Sequence, residues 1–386
     1  MHLDRRRAYF LLALGCVAAL LAGCRTEREV AQIARRERPV AGPPRAFMLG
    51  FTDTPATLTP EAYTATFNLA SNYGEMILVQ RAVAWADFVP GAKPSDGLRD
   101  QTVRARQAAD ERGLTLAIAL DPFDPAARGR LQGLPPRYAG KTLGDADLRK
   151  AFVADAVFVA RTAKPAYLAL GLEVNTTFER NPDGYLAFVE AYKEAYDAVK
   201  ATAPETKVFP GFQHEELLGI LPNLPPHPPR WQLLEAYGAK IDLFAITTYP
   251  SFVYEVARKV PPGYYTDIAK QTKLPVAFLS AGFASAPSRE HLNSSTPPEQ
   301  RRYLQRLIED ADALASPFLI WYAGRDPGFA QSPPFDLLGS LGLRDARDQA
   351  KEAWEAWEAA SNRPLDPRTP PRTPTPAPTP TPVTSR

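Results

Sequence analysis

Eight short apolar runs of β type, each followed by a helical stretch, predict an α/β chain built as a single parallel TIM (β/α)8 barrel. Two further observations support that fold class. The alternation fills residues 46–362, a length that suits one barrel with a few enlarged loops. A doubly wound open sheet would want a Gly-rich phosphate turn after an early strand. Neither G-x-G-x-x-G nor G-x-x-x-x-G-K-[ST] occurs.

The expected strands are, in order, Phe47–Thr52, Met76–Gln80, Leu114–Leu120, Tyr167–Glu173, Lys207–Gln213, Ile241–Tyr249, Pro275–Ser280 and Phe318–Tyr322. Most are continuously apolar, as strands covered on both faces must be. The helices between them carry start signals. Thr59-Pro60-Glu61 and Thr296-Pro297-Pro298-Glu299 place a capping hydroxyl before a first-turn proline. Asn181-Pro182-Asp183 opens a helix over 183–200, in which Phe188, Val189, Tyr192, Tyr196 and Val199 form one apolar stripe. No repeat of 20–50 residues is visible, which sets aside solenoids and propellers.

The ends differ from this body. Arg5-Arg6-Arg7 precedes an apolar run, Ala8 to Ala22, too short to span a membrane, which reads as an export signal over residues 1–23. Leu21-Ala22-Gly23-Cys24 resembles the bacterial lipobox, and that resemblance implies cleavage before Cys24 and a lipid, with acyl chains such as palmitate, on the new N-terminal cysteine. Cys16, the second of the two cysteines, lies within the signal, so the mature body holds no thiol and no disulfide scaffold. Residues 24–45 read as a lipidated tether. Residues 363–386 hold nine prolines in a Thr-Pro alternation and read as a disordered, polyproline-like tail. The expected location is the bacterial cell envelope, membrane-anchored and outside the cytoplasm.

The net charge of +2 conceals this division: residues 1–45 carry +5, residues 363–386 carry +3, and the body carries −6. An acidic body argues against nucleic acid as a partner, because phosphate binding needs a basic face. The four histidines, His2, His214, His227 and His291, have no ligand-like spacing, so no metal is expected. No cofactor is expected, and the chain is read as a monomer.

In a (β/α)8 barrel the chemistry lies where strands end. Those positions offer Asp53, Arg81 with Trp85 beyond it, Asp121, Glu173 and Asn175, Gln213 with His214 and Glu215, Tyr249, Ser280 and Trp321. Carboxylates beside aromatics suit sugars, whose CH faces stack and whose hydroxyls pair with carboxylates and amides. Glycoside cleavage needs one carboxylic acid for the leaving oxygen and a second group to attack or to activate water. Phosphate substrates are disfavoured, because Arg and Lys do not converge there.

The order of strand ends resembles the clan of retaining (β/α)8 glycoside hydrolases that includes cellulase-like and galactanase-like enzymes. LGLEVN, ITTYPSF, LPVAFLSAGF and the Trp of the last strand carry the resemblance, and GLRDARDQAKEAWEAW looks like the closing helix. The resemblance implies that Glu173 is the acid/base, that Tyr249 is the aromatic positioning a nucleophile, and that Trp321 is the floor of the sugar subsite. Two positions depart from it. Leu172 stands where the clan has Asn before the strand-4 Glu, and Ser280-Ala281-Gly282-Phe283 stands where it has Glu-x-Gly-Trp with the nucleophile. A serine cannot replace that carboxylate without an activating base. Two functions follow: a hydrolase whose second carboxylate is Glu215, Asp53 or Asp121, or a carbohydrate-binding barrel that does not cut.

Overall fold

The computed structural model describes residues 33–366 apart from 223, 288–293 and 331–334. The expected signal, Cys24 and the tail from 367 onward lie outside the described residues. No helix among those described is long and apolar enough to cross a membrane.

Nine parallel segments form one sheet: β1 (Met48–Thr52), β2 (Met76–Ala82), β3 (Thr115–Asp121), β4 (Tyr167–Leu170), β5 (Lys207–Phe209), β6 (Gly211–Gln213), β7 (Phe244–Thr248), β8 (Val276–Ala281) and β9 (Phe318–Trp321). Each of the eight expected runs becomes a strand. The fifth is split because Pro210 has no N–H to give the ladder. Its first half pairs with β4 and its second half with β7. Gly211 N–H still reaches Gly171 O at 3.0 Å, so β5 and β6 together fill one barrel position. With β1 paired to both β2 and β9, the sheet wraps around a core that includes Leu49, Ile77, Leu116, Leu168, Phe244, Phe278 and Leu319.

The main helices are α1 (Pro60–Tyr73), α2 (Asp96–Asp110), α3 (Ala146–Ala163), α4 (Val174–Arg180), α5 (Pro182–Thr202), α6 (Pro297–Ala313) and α7 (Ala353–Asn362). Thr59 and Asn181 cap α1 and α5 by accepting from the Ala62 and Gly184 N–H groups. The stripe on α5 is core: Phe188, Val189, Tyr192 and Val199 are buried. The closing helix begins later than expected, at Ala353. Before it, the Asp345 carboxylate accepts from the Arg347 and Gln349 N–H groups and holds that stretch as a turn.

Residues 33–45, read from sequence as tether, lie against the end of the barrel where strands start. Arg38 and Arg45 pair with Glu75 at 2.7 and 2.6 Å, and Arg36 pairs with Glu358 at 2.7 Å. Arg363 donates to Pro43 O and Pro44 O, and Asp366 N–H donates to Arg45 O at 2.8 Å. Both ends of the described chain are thus fastened together there.

Candidate active site

At the opposite end of the barrel, the strand ends and their loops enclose a cleft of about 870 Å³. Its carboxylates are Asp53 after β1, Glu173 after β4 and Asp336. Its aromatic lining is Tyr63, Tyr249, Phe252, Tyr322, Phe329 and Phe335.

The turn after β4 aims Glu173. Gly171 has φ +86°, and a Cβ there would press to 2.8 Å on Phe188 and Val174, so only glycine fits. Glu173 itself is left-handed at φ 51° and ψ 40°, an uncommon conformation for a residue with a side chain and one that concentrates at functional sites. Thr247 Oγ donates to Glu173 Oε1 at 3.0 Å, and the Arg128 guanidinium lies 3.5 Å from Oε2. Arg128 comes from the long loop after β3, and its other arm holds Asp121 at 2.5 Å. Burial opposes the Arg128 charge, but the Asp121 and Glu173 carboxylates outweigh it and raise its pKa.

Asp53 differs in environment. Its carboxylate accepts the Gln80 N–H at 3.2 Å, but burial dominates and pushes its pKa up to about 7. Tyr322 is close enough to sense both acids: burial, then the Asp53 and Glu173 charges, raise its phenol to about 12. In the strand-7 position of the resemblance, Ser280 Oγ and Tyr249 OH share a hydrogen bond of 2.8 Å. Burial and the Glu173 charge keep that Tyr249 phenol neutral.

Of the residues singled out from sequence, Asp53, Glu173, Gln213, Tyr249 and Ser280 line the cleft together. The others serve its frame. Arg81 turns to the buried Asp155 of α3, whose second oxygen takes the Ala84 N–H at 2.9 Å. Trp85 is buried, its indole donating to Gln132 O at 2.7 Å. Asp121 is occupied by Arg128. Trp321 is fully buried and donates to Leu341 O at 2.7 Å, so the next residue, Tyr322, faces the cavity instead.

Glu215 is fully buried and is not part of the cleft wall. Gln213 at 2.6 Å, Thr248 at 2.5 Å, Tyr264 at 3.0 Å and the Tyr249 N–H at 3.2 Å all donate to its carboxylate. His214 beside it contacts Tyr264 O at 3.1 Å, and burial lowers its pKa to about 4. Asn175 is buried too, donating to Gln213 O at 2.8 Å and to Glu216.

Sequence reasoning missed Arg128, Tyr322, Asp336, and a grouping of Glu179, Glu216 and His227 beside the cleft. The signal for the last was local: His227 stands inside Pro225-Pro226-His227-Pro228-Pro229, a stiff frame for one side chain.

No family model and no curated protein matches the chain. Solved structures do. The exo-beta-1,4-mannosidase Op5Man5 from Opitutaceae bacterium strain TAV5 matches over 84% of this chain at 17% identity and TM-score 0.61. This chain covers 61% of that enzyme, less than two thirds of its length. GH5_18 from Bifidobacterium longum subsp. longum ATCC 55813 matches over 83% of this chain and 81% of its own, at 16% identity and TM-score 0.62. GH5_18 from Streptomyces cattleya, solved with GlcNAc, matches over 87% and 83% at 19% identity and TM-score 0.61. At such identities the likeness is one of fold, and the fold is the (β/α)8 barrel of these glycoside hydrolases.

Proposed function

We propose that this chain is an exported, lipid-anchored barrel that takes a poly- or oligosaccharide into its cleft and hydrolyses a glycosidic bond, with Glu173 and Asp53 as its two carboxyl groups. The observation that carries the reading is the pair of unlike environments facing Tyr322. Asp53, raised to about 7, keeps its proton near neutrality and is suited to protonate the leaving oxygen. Glu173, touched by Thr247 and Arg128, is the group suited to receive a proton from water or to give one back. The surrounding phenyl and phenol rings supply stacking faces for sugar rings.

The test is an assay of the full chain on β-mannosides and other β-glycosides, beside Asp53→Asn and Glu173→Gln. Each substitution is expected to lower turnover by roughly 10²–10⁴-fold while leaving ligand binding within a few fold. Wild-type turnover that survives both changes would refute the assignment.

The Ser280–Tyr249 pair favours a second reading, a carbohydrate-binding barrel without turnover, because a hydroxyl stands where a retaining nucleophile is expected. Calorimetric binding of oligosaccharide with no release of reducing sugar supports that reading. Absence of binding and of turnover across the panel removes both. Lipid attachment at Cys24 is tested separately, by metabolic labelling with a palmitate analogue, which Cys24→Ser should abolish.

A further inference from the structure

From the juxtaposition of His227, Glu216 and Glu179 we infer that the wall of the cleft contains a binding site for a divalent transition-metal ion. One candidate ligand atom from each of the three residues lies within 4.8 Å of the other two. His227 Nε2 is 3.4 Å from Glu216 Oε1 and 3.6 Å from Glu179 Oε1. A tetrahedral zinc-type ion, with bonds of about 2.0–2.2 Å, sets its ligand atoms roughly 3.3–3.6 Å apart. The charged hydrogen bond of an imidazolium would instead draw nitrogen and oxygen to about 2.7–2.9 Å.

Hydrogen bonding gives an independent reason. His227 Nδ1 contacts Pro228 O at 2.8 Å, and a carbonyl can only accept, so Nδ1 carries the proton. In the neutral ring, Nε2 then offers a lone pair toward Glu216 Oε1, two acceptors without a donor between them, and toward Glu179 Oε1, whose charge Arg230 also contacts. Glu216 Oε1 has no hydrogen-bond partner although Glu216 is only 1% exposed, and His227 Nε2 has none in a side chain 8% exposed. Orphaned acceptors that converge in a buried place are costly unless a cation sits among them. One imidazole and two carboxylates is a donor set for such an ion, where calcium or magnesium would want oxygen alone.

The surroundings hold these groups in place. Pro228 O orients the imidazole, Asn175 donates to the other oxygen of Glu216, and Arg230 contacts Glu179. The prolines on both sides of His227 reduce the entropy lost when it is held. Gly219, at φ +72°, lets the loop turn back; a Cβ there would collide with the His227 carbonyl.

The ion would join α4, which carries Glu179 and the cleft residues Thr176 and Arg180, to the loop that carries His227 and the cleft residues Leu221 and Pro222. It would brace the wall of the cleft rather than enter it. The inference does not depend on whether the cleft hydrolyses anything.

The experiment is calorimetric titration of chelator-treated full chain with Zn²⁺ at pH 7.5, beside His227→Ala and Glu216→Gln. The expected result is one saturable site in the wild type and affinity weakened by roughly tenfold or more in each variant. Co²⁺ in place of Zn²⁺ should give the intense visible absorption of a tetrahedral site. Circular dichroism checks that each variant is folded, and Glu179→Gln takes the place of any that is not. A folded wild type that binds no Zn²⁺, or binding unaffected by His227→Ala, overturns the inference.

Discussion

Asp53→Asn should stabilise the protein above neutrality and leave its stability unchanged in acid. The native carboxyl is raised from its ordinary 3.8 to about 7, chiefly by burial. Between those values the unfolded chain has released its proton while the native one retains it. Stability therefore falls as pH rises through that window and is level above it. At about 1.36 kcal/mol per pH unit the whole interval corresponds to roughly 4 kcal/mol. Partial exposure screens the cost to about 1–2 kcal/mol. Asparagine keeps an oxygen for the Gln80 N–H, which is 3.2 Å from the carboxylate, and never ionises. The assay is thermal unfolding of both proteins at pH 4, 5.5 and 8. Asp53→Asn should melt about 2–5 °C above the wild type at pH 8, and the two should coincide at pH 4. An equal loss of stability at every pH would show that Asp53 is ionised in the native cleft. It would then be unable to supply the proton that the proposed hydrolysis needs.

Two other changes test the frame around the cleft. Asp155→Ala strips a buried partner from Arg81 and from the Ala84 N–H, and should cost about 3–5 kcal/mol in urea unfolding, much of it regained by Arg81→Met with Asp155→Leu. Glu215→Gln turns an amide NH₂ toward one of two donor pairs, Thr248 with Tyr264 or Gln213 with the Tyr249 N–H. It should lower the urea midpoint by about 1–3 kcal/mol of stability without changing the slope.

The barrel was legible because strands covered on both faces must be largely apolar, and most of the eight runs announced themselves in that way. Pro210 shows the finer limit: its missing N–H divides a strand in the hydrogen-bond ladder without interrupting the wall. That Glu173 and Tyr249 line the cleft was legible from their place at strand ends. What those ends pair with was not. Arg81 finds Asp155, 74 residues away, and Arg128 finds Glu173 from a loop whose path no periodicity encodes. Trp321 and Tyr322 are adjacent, and alternation along a strand sends one inward and one to the cavity. Choosing between them from sequence requires the register of β9, which its pairing with β1 and β8 supplies.

The clasp in which Glu75 holds Arg38 and Arg45, with Asp366 bonded back to Arg45, also sets an orientation. Strands run from that clasp toward the cleft, so the described chain enters and leaves the barrel at the pole farthest from the cleft. A surface holding either end would carry the molecule like a cup standing on its base, mouth outward. Large or insoluble ligands could then approach from the free side without meeting the attachment.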